Sequence, residues 1–453
     1  MGNIIDYVKE EMRKADEKPF SEVDSLVLCQ FSYLLFDGIV PGFEQECGKT
    51  TVKDLYKAEF FSTIFPDNGS RKENQQLLLA MAASPRFRDM ALCHYVNETD
   101  AAAEKQFAAI TITVDEDTKY VAFRGTDSTL VGWKEDFNMS FKSHIASQIS
   151  AKEYLNMIAE LYPNKKIRVG GHSKGGNIAV YSAIFATPQI RDRIINVYNN
   201  DGPGFCEDIL ETQEYQEMIN KVHTYIPQSS IIGRLMNHKE KYTIIESTQK
   251  GIMQHDLYSW QILGKEFITL PNVTNESEFI DKTIKEWLEN VEPAKREQVI
   301  NVIFEILNST DAQTTKELRK NLFSNIKVIL EKYKNIPKDD AIGILSSVGG
   351  FEFTCIVGVI LGAAANNALV IIDGFNTSAC ALVAKTLVPQ AMDYVMASHL
   401  SAEKAAKSSL ENLGLEAYVD LGLCLGEASG GSIQMGMLDL AVHMYLAVTG
   451  GKA

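Results

Sequence analysis

The pentapeptide Gly171-His172-Ser173-Lys174-Gly175 is the part of this 453-residue chain whose residue types and spacing speak most directly to chemistry. A short strand is predicted over Ile167–Gly170, and a helix carrying Ala179, Ala183 and Ala186 on its packing side follows. A serine between two glycines, in a tight turn from strand to helix, is the G-x-S-x-G arrangement of an exposed nucleophile. The glycines are needed because the turn is strained and a larger side chain would strike the neighbouring strand or helix. The helix N-terminus then points at any oxyanion that develops beside Ser173.

A second junction lies upstream. Two strands with alternating apolar residues are predicted at 111–114 and 120–124, joined by the turn Asp115-Glu116-Asp117, and the second ends in Phe123-Arg124-Gly125-Thr126. Together with the serine turn, this resembles the class 3 lipase branch of the α/β-hydrolases, in which F-R-G-[ST] follows a central strand. The resemblance implies an oxyanion hole made by Thr126, through its backbone N–H and hydroxyl, and by the Lys174 backbone N–H. It also sets the stretch Ser128–Phe141, with Trp133, where those lipases carry a lid-like helix.

In this fold the chain order is nucleophile, acid, base. His223, His238, His255, His399 and His443 follow the serine. His255, in KGIMQHDLYSW, comes after a strand-like Tyr242–Ser247 and a turn at Gly251, which suits a late loop over the carboxyl ends of the strands. His223 begins a predicted strand and reads as structural; His238, among Asn, Lys and Glu, reads as exposed. His172 adjoins the serine but points away from it. The acid departs from the lipase pattern, because the matching position after the strand Val222–Ile226 is Ser230, which holds no charge. Asp201, at the end of the apolar run INVYNN and the start of a Gly-Pro-Gly turn, is the choice; Asp256 adjoins the base and reaches round to its imidazole poorly. An active enzyme keeps such a carboxylate, since its loss costs on the order of 10⁴ in turnover.

Residues 20–335, with SEVDSLVLCQFSYLLF, PQSSIIGRL, MQHDLYSW and TIKEWL, look like an uncharacterised bacterial lipase-3-like family, which implies a serine hydrolase and names no substrate. Residues 341–453 carry another resemblance. GGFEFTCIVGVILGAAA, ALVIIDGFNTSACALVA and the run from SHLSAEK to HMYL look like the C-terminal third of nicotinate-nucleotide–dimethylbenzimidazole phosphoribosyltransferase. That resemblance aligns Gly426-Glu427-Ala428-Ser429-Gly430 with a motif whose glutamate is the general base, and so implies Glu427 as the base of an alternative site. The family's upstream glycine-rich phosphate loop is not found in the chain, so a fused or remnant module is the expectation.

These readings must fit the chain as a whole. At 23% charged and 45% hydrophobic residues it is an ordinary globular composition, long enough for two to four domains. A net charge of −15 argues against a nucleic-acid partner. Seven cysteines at irregular spacing, with no C-x-x-C pair, imply neither a zinc site nor a redox motif, and free thiols in a reducing compartment are expected. No apolar leader opens the chain, and the run Cys355–Ile372 is broken by Asn366 and Asn367, so a buried helix followed by a buried strand is expected rather than a membrane span. The location expected is cytoplasmic.

The fold expected is an α/β-hydrolase, a mostly parallel sheet with helices on both faces (1–272), then a charged helical connector (273–340) with Ile280, Ile284, Trp287 and Leu288 on one face, then an α-rich C-terminal domain (341–453). The function expected is a serine esterase or lipase acting on a small acyl ester, thioester or lipid, with Ser173, His255 and Asp201 catalytic and no metal or cofactor required. The alternative is an incomplete phosphoribosyltransferase-related protein of cobamide lower-ligand chemistry, or a non-catalytic scaffold. The apolar face of the last domain offers a surface for homo-oligomerisation.

Overall fold

The computed structural model describes residues 2–45, 47–65, 70–127, 129–275, 277–278, 281–282, 285, 292–308, 333–423 and 428–449. The chain divides into two compact units, residues 1–325 and 326–453. The apolar face expected at Ile280, Ile284, Trp287 and Leu288 lies outside the described residues.

An eight-stranded sheet organises the first unit. Its strands are β1 (Ala91–Asp100), β2 (Lys105–Thr113), β3 (Thr118–Phe123), β4 (Lys166–His172), β5 (Ile194–Asn200), β6 (Val222–Pro227) and β7 (Tyr242–Ile245), followed by the edge piece Thr269–Leu270, and they lie side by side in that order. β1 to β3 are joined antiparallel, β3 to β7 run parallel, and the last piece returns antiparallel. This is the mostly parallel α/β-hydrolase sheet that the sequence leads one to expect.

Helices cover both faces, because the parallel strands need crossovers and present apolar side chains to both sides. The helices include α1 (Ile4–Glu10), α2 (Glu22–Phe31), α3 (Phe61–Ile64), α4 (Arg71–Ala83), α5 (Leu130–Asn138), α6 (Ala146–Leu161) and α7 (Lys174–Ile184). Along β3, Tyr120 and Ala122 enter the core shared with α1, α2 and α4, whereas Val121 and Phe123 enter the core shared with α6 and α7. That alternation is the period of two of a strand buried on both faces. Both N-terminal helices begin with capping boxes, Asn3 with Asp6 and Ser21 with Asp24, which satisfy amides that have no intrahelical acceptor.

The second unit contains the helices Ala341–Val348, Phe351–Ala365, Phe375–Leu387, Ala406–Leu413 and Ser429–Thr449. It holds two short parallel strands, Val370–Ile372 and Val395–Ala397, where the sequence indicates one. The run from Cys355 is a helix followed by a strand, as expected, but the helix is not buried: Val357 and Ile360 are inside while Val359 is 63% exposed. One side of it finds a core of Cys380, Ala381 and Ala384, and among the described residues the other side is exposed. No described helix is long and apolar enough to cross a membrane.

Candidate active site

β4 delivers the serine. Ser173 sits between β4 and α7 with φ 58° and ψ −134°, a left-handed conformation that a non-glycine residue adopts at a cost of about 1–3 kcal/mol. The turn closes because Gly171 and Gly175 have no side chains: a Cβ on Gly171 would meet the Gly175 backbone, and one on Gly175 the Phe123 carbonyl. The Ser173 N–H donates to the Asn200 carbonyl at 3.0 Å, tying the end of β4 to the end of β5. Among the described residues the Ser173 hydroxyl has no hydrogen-bond partner.

Asp201 follows β5 directly and also has a positive φ, 52°. Its N–H donates to the Tyr225 carbonyl of β6 at 2.8 Å. Its carboxylate is buried, and each oxygen has a defined partner. Oδ2 lies 2.6 Å from His255 Nδ1. Oδ1 accepts from the Ser230 hydroxyl at 2.5 Å and from the Gly233 N–H at 3.2 Å. Ser230, the position where the lipase pattern has its acid, is here a hydrogen-bond donor to Asp201 at the end of the neighbouring strand. Asp256 instead caps its own turn through the Tyr258 N–H.

His255 belongs to a short 3-10 turn, Gly251–His255, with its side chain 24% exposed. The His255 carbonyl accepts from His172 Nε2 at 2.8 Å, and the two rings stand 4.3 Å apart. A carbonyl only accepts, so His172 carries its proton on Nε2 and its Nδ1 accepts from the Tyr33 hydroxyl at 2.8 Å. Burial first, and then the charge of His255, holds the His172 pKa well below the usual histidine range, in keeping with a neutral, purely structural imidazole. His172 thus spends both ring nitrogens on Tyr33 and the His255 carbonyl, and holds the loop that carries His255.

The two residues implied for the oxyanion differ in what they have to offer. The Lys174 N–H is the first amide of α7 and has no acceptor within the helix. The Thr126 hydroxyl donates to both carboxylate oxygens of Asp136, at 2.7 and 2.6 Å, so its proton is committed there and its backbone N–H is the remaining donor. Burial raises the Asp136 pKa to about 6, against the opposing charge of Lys174 and the Thr126 hydrogen bond.

The Lys174 side chain is the feature the sequence did not reveal. Its ammonium is fully buried and directs all three protons to partners, Gln106 O (2.8 Å), Gln106 Oε1 (2.9 Å) and Glu135 Oε2 (2.8 Å). Glu135 also accepts from the N–H groups of Gln106 and Ser147. A lysine opening an otherwise apolar helix demands a buried counter-charge, and that demand was the available signal. Glu135 and Asp136 both belong to α5, the helix at the lid-like position; its inner face is tied to the site, while Trp133 and Phe137 are each 46% exposed.

His223 is part of β6, paired with Asn196 and stacked on Tyr198, as its structural reading requires. His238 corrects its expectation. Its side chain is 7% exposed, because the buried Glu240 draws it in at 2.9 Å. Glu427, the base implied for an alternative site, lies outside the described residues.

Comparisons with known proteins divide the chain in the same sense. A family described as Mbeg1-like matches residues 81–305, and one described as Phosphoribosyltransferase matches residues 310–451. The nicotinate-nucleotide–dimethylbenzimidazole phosphoribosyltransferase of Dehalococcoides mccartyi is 44% identical over 102 residues, 22% of this chain and 29% of that protein. The same enzyme of Yersinia enterocolitica is 45% identical over 106 residues, 23% and 30%. The chain therefore spans under a third of the length of these relatives. Among solved structures, a lipase from Rhizopus microsporus var. chinensis aligns at 17% identity over 38% of this chain and 64% of its own, with a TM-score of 0.29. A phosphoribosyltransferase of the same name from Thermus thermophilus aligns at 28% identity over 30% and 42%, with a TM-score of 0.27. The chain joins a segment similar to Mbeg1-like proteins to a segment similar to one part of these phosphoribosyltransferases.

Proposed function

We propose that the first unit is a serine hydrolase that cleaves an acyl ester or thioester through an acyl-enzyme. The observation that carries this reading is the 2.6 Å contact between Asp201 Oδ2 and His255 Nδ1, made beside a serine held at positive φ on the N-terminus of a helix. With Asp201 accepting from Nδ1–H, the His255 Nε2 lone pair is free to take the Ser173 proton as Oγ attacks the carbonyl carbon. The Thr126 and Lys174 N–H groups receive the oxyanion. Collapse of the tetrahedral species breaks the bond to the alcohol or thiol, which leaves with the proton from His255. Water, deprotonated by the same imidazole, then releases the acid and restores Ser173. The missing serine–histidine hydrogen bond fits a resting site, where such contacts tighten only around substrate.

The test is hydrolysis of a series of p-nitrophenyl esters of increasing chain length by wild type and Ser173→Ala. Turnover that disappears in Ser173→Ala supports the reading, and equal turnover by both proteins overturns it. The substrate proposed is a small acyl ester or lipid, the location the cytoplasm, and the division of the chain 1–272, 273–340 and 341–453.

For the last segment we propose a fused phosphoribosyltransferase-like module, on the strength of 44% identity over 102 residues. Its helix Ser429–Thr449 exposes Met435, Leu440, Val442 and Met444, which favours homo-oligomerisation through this block. Binding of dimethylbenzimidazole or nicotinate mononucleotide to the full chain, lost in Glu427→Gln, is what a ligand-competent module requires; calorimetric silence with both ligands leaves a remnant.

A further inference from the structure

A second cluster of reactive side chains lies at the edge strand β1, away from the central strands that carry Ser173 and Asp201. Cys93 and His94 are consecutive in β1, where a regular pleat would send them to opposite faces. The strand is bulged there: Cys93 pairs with Thr111 and Val96 with Ala109, so two residues oppose one. His94 has φ 54°, a strained value for a histidine. The result is that Cys93 Sγ, a ring nitrogen of His94 and Cys47 Sγ, from a loop 46 residues upstream, all lie within 4.8 Å of one another. Cys93 and His94 are 3% and 5% exposed, and Cys47 is half-buried.

The imidazole is held in place from several sides. Its ring stacks on Phe43 at 4.8 Å, its Nε2 lies 3.0 Å from the Tyr162 hydroxyl, and its carbonyl accepts from Tyr154 at 2.7 Å. Cys47 Sγ lies 3.7 Å from Nδ1 and 3.5 Å from Nε2, and with Nε2 engaged by Tyr162, Nδ1 is the nitrogen left for a metal. Tetrahedral zinc, with bonds of about 2.3 Å to sulfur and about 2.0–2.1 Å to nitrogen, needs sulfur–nitrogen edges of about 3.6 Å and sulfur–sulfur edges of about 3.8 Å. The Cys47–His94 spacing matches the first of these edges, and all three ligand atoms lie within 4.8 Å of one another.

We propose that Cys47, Cys93 and His94 bind a thiophilic divalent cation of the zinc class, with Tyr162 as the outer partner that orients His94 and a fourth position left for water. Two thiolates, formed as the metal displaces their protons, balance the charge of such an ion. A metal would engage all three side chains at once. The strain at His94 and the bulge serve the same end: they turn adjacent residues toward one point. The ion would pin the loop around Cys47 to the edge strand β1, a role separate from the serine chemistry.

The experiment uses the full chain, reduced, stripped with a chelator and titrated anaerobically with Co²⁺. The expected result is thiolate-to-cobalt charge transfer in the near ultraviolet with the red-region bands of a tetrahedral ion, saturating at one ion per chain and bleached by Zn²⁺. Cys47→Ser and Cys93→Ser should each weaken binding at least ~100-fold, Tyr162→Phe should weaken it ~10-fold as loss of an outer partner does, and Cys355→Ser should change nothing. Wild-type protein that gains no such band overturns the assignment, whether or not its two thiols oxidise to a disulfide in air. So does a band that survives in both Cys47→Ser and Cys93→Ser.

Discussion

Replacing Asp201 with asparagine changes one oxygen to an NH₂ at the point where the site depends most on charge. The new side chain keeps one oxygen for Ser230 and Gly233, which now donate at 2.5 and 3.2 Å. Its NH₂ faces His255 Nδ1, 2.6 Å from the present oxygen, and can only donate. Nδ1 must then accept, the ring proton moves to Nε2, and the atom that should take the Ser173 proton is occupied. The loss is that of the wrong tautomer and of imidazolium stabilisation together, on the order of 10⁴ in rate or about 5.5 kcal/mol of barrier. Stability should change far less, by about 1 kcal/mol, because the Ser230 and Gly233 bonds survive. The assay is the rate of labelling by a fluorophosphonate, with thermal unfolding measured alongside; Asp256→Asn is the control and should label as wild type does. A folded Asp201→Asn protein labelled within about tenfold of wild type would refute the assignment of the acid.

Glu135→Gln leaves the buried Lys174 ammonium without its counter-charge and should cost about 3–5 kcal/mol, seen as a lower urea midpoint; adding Lys174→Met should recover much of that loss. Asp136, raised to about 6 from an ordinary 3.8, favours its neutral form in the folded chain. Stability due to this group is therefore highest at low pH and falls as pH rises between those two values, by about 3 kcal/mol at 1.36 kcal/mol per pH unit. Asp136→Asn should flatten that part of a melting-temperature profile, and an unchanged slope would contradict the burial argument. Tyr33→Phe strips the donor from the buried His172 Nδ1; it should cost about 1–3 kcal/mol and loosen the His255 loop, read as faster amide hydrogen exchange at residues 251–256.

Local chemistry was the legible part of the chain. Ser173 is announced by its flanking glycines and by an apolar strand and helix whose periods change across it. Asp201 and His255 are found by strand ends and chain order, and the structure sets them side by side. What stayed hidden depends on contacts remote in sequence. Nothing near Lys174 names Glu135, 39 residues away, as its partner. Strand β1 gives no alternation to read because its bulge interrupts the period of two between Cys93 and Val96, and the same bulge hides the cluster with Cys47. His238 looks exposed among polar neighbours because the buried Glu240 that draws it in is a tertiary feature of β6 and Tyr215. The helix from Phe351 has an apolar composition suited to burial on all sides, and composition alone does not say how many layers the unit has to cover it.

The central claim is an activated serine, and covalent labelling by a fluorophosphonate probe tests it without knowledge of the substrate. Purified wild type should gain one adduct, mapped by peptide mass spectrometry to Ser173, and Ser173→Ala should gain none. Folded wild type that remains unlabelled, with detergent present as well as absent, or an adduct on a different residue, would contradict the account.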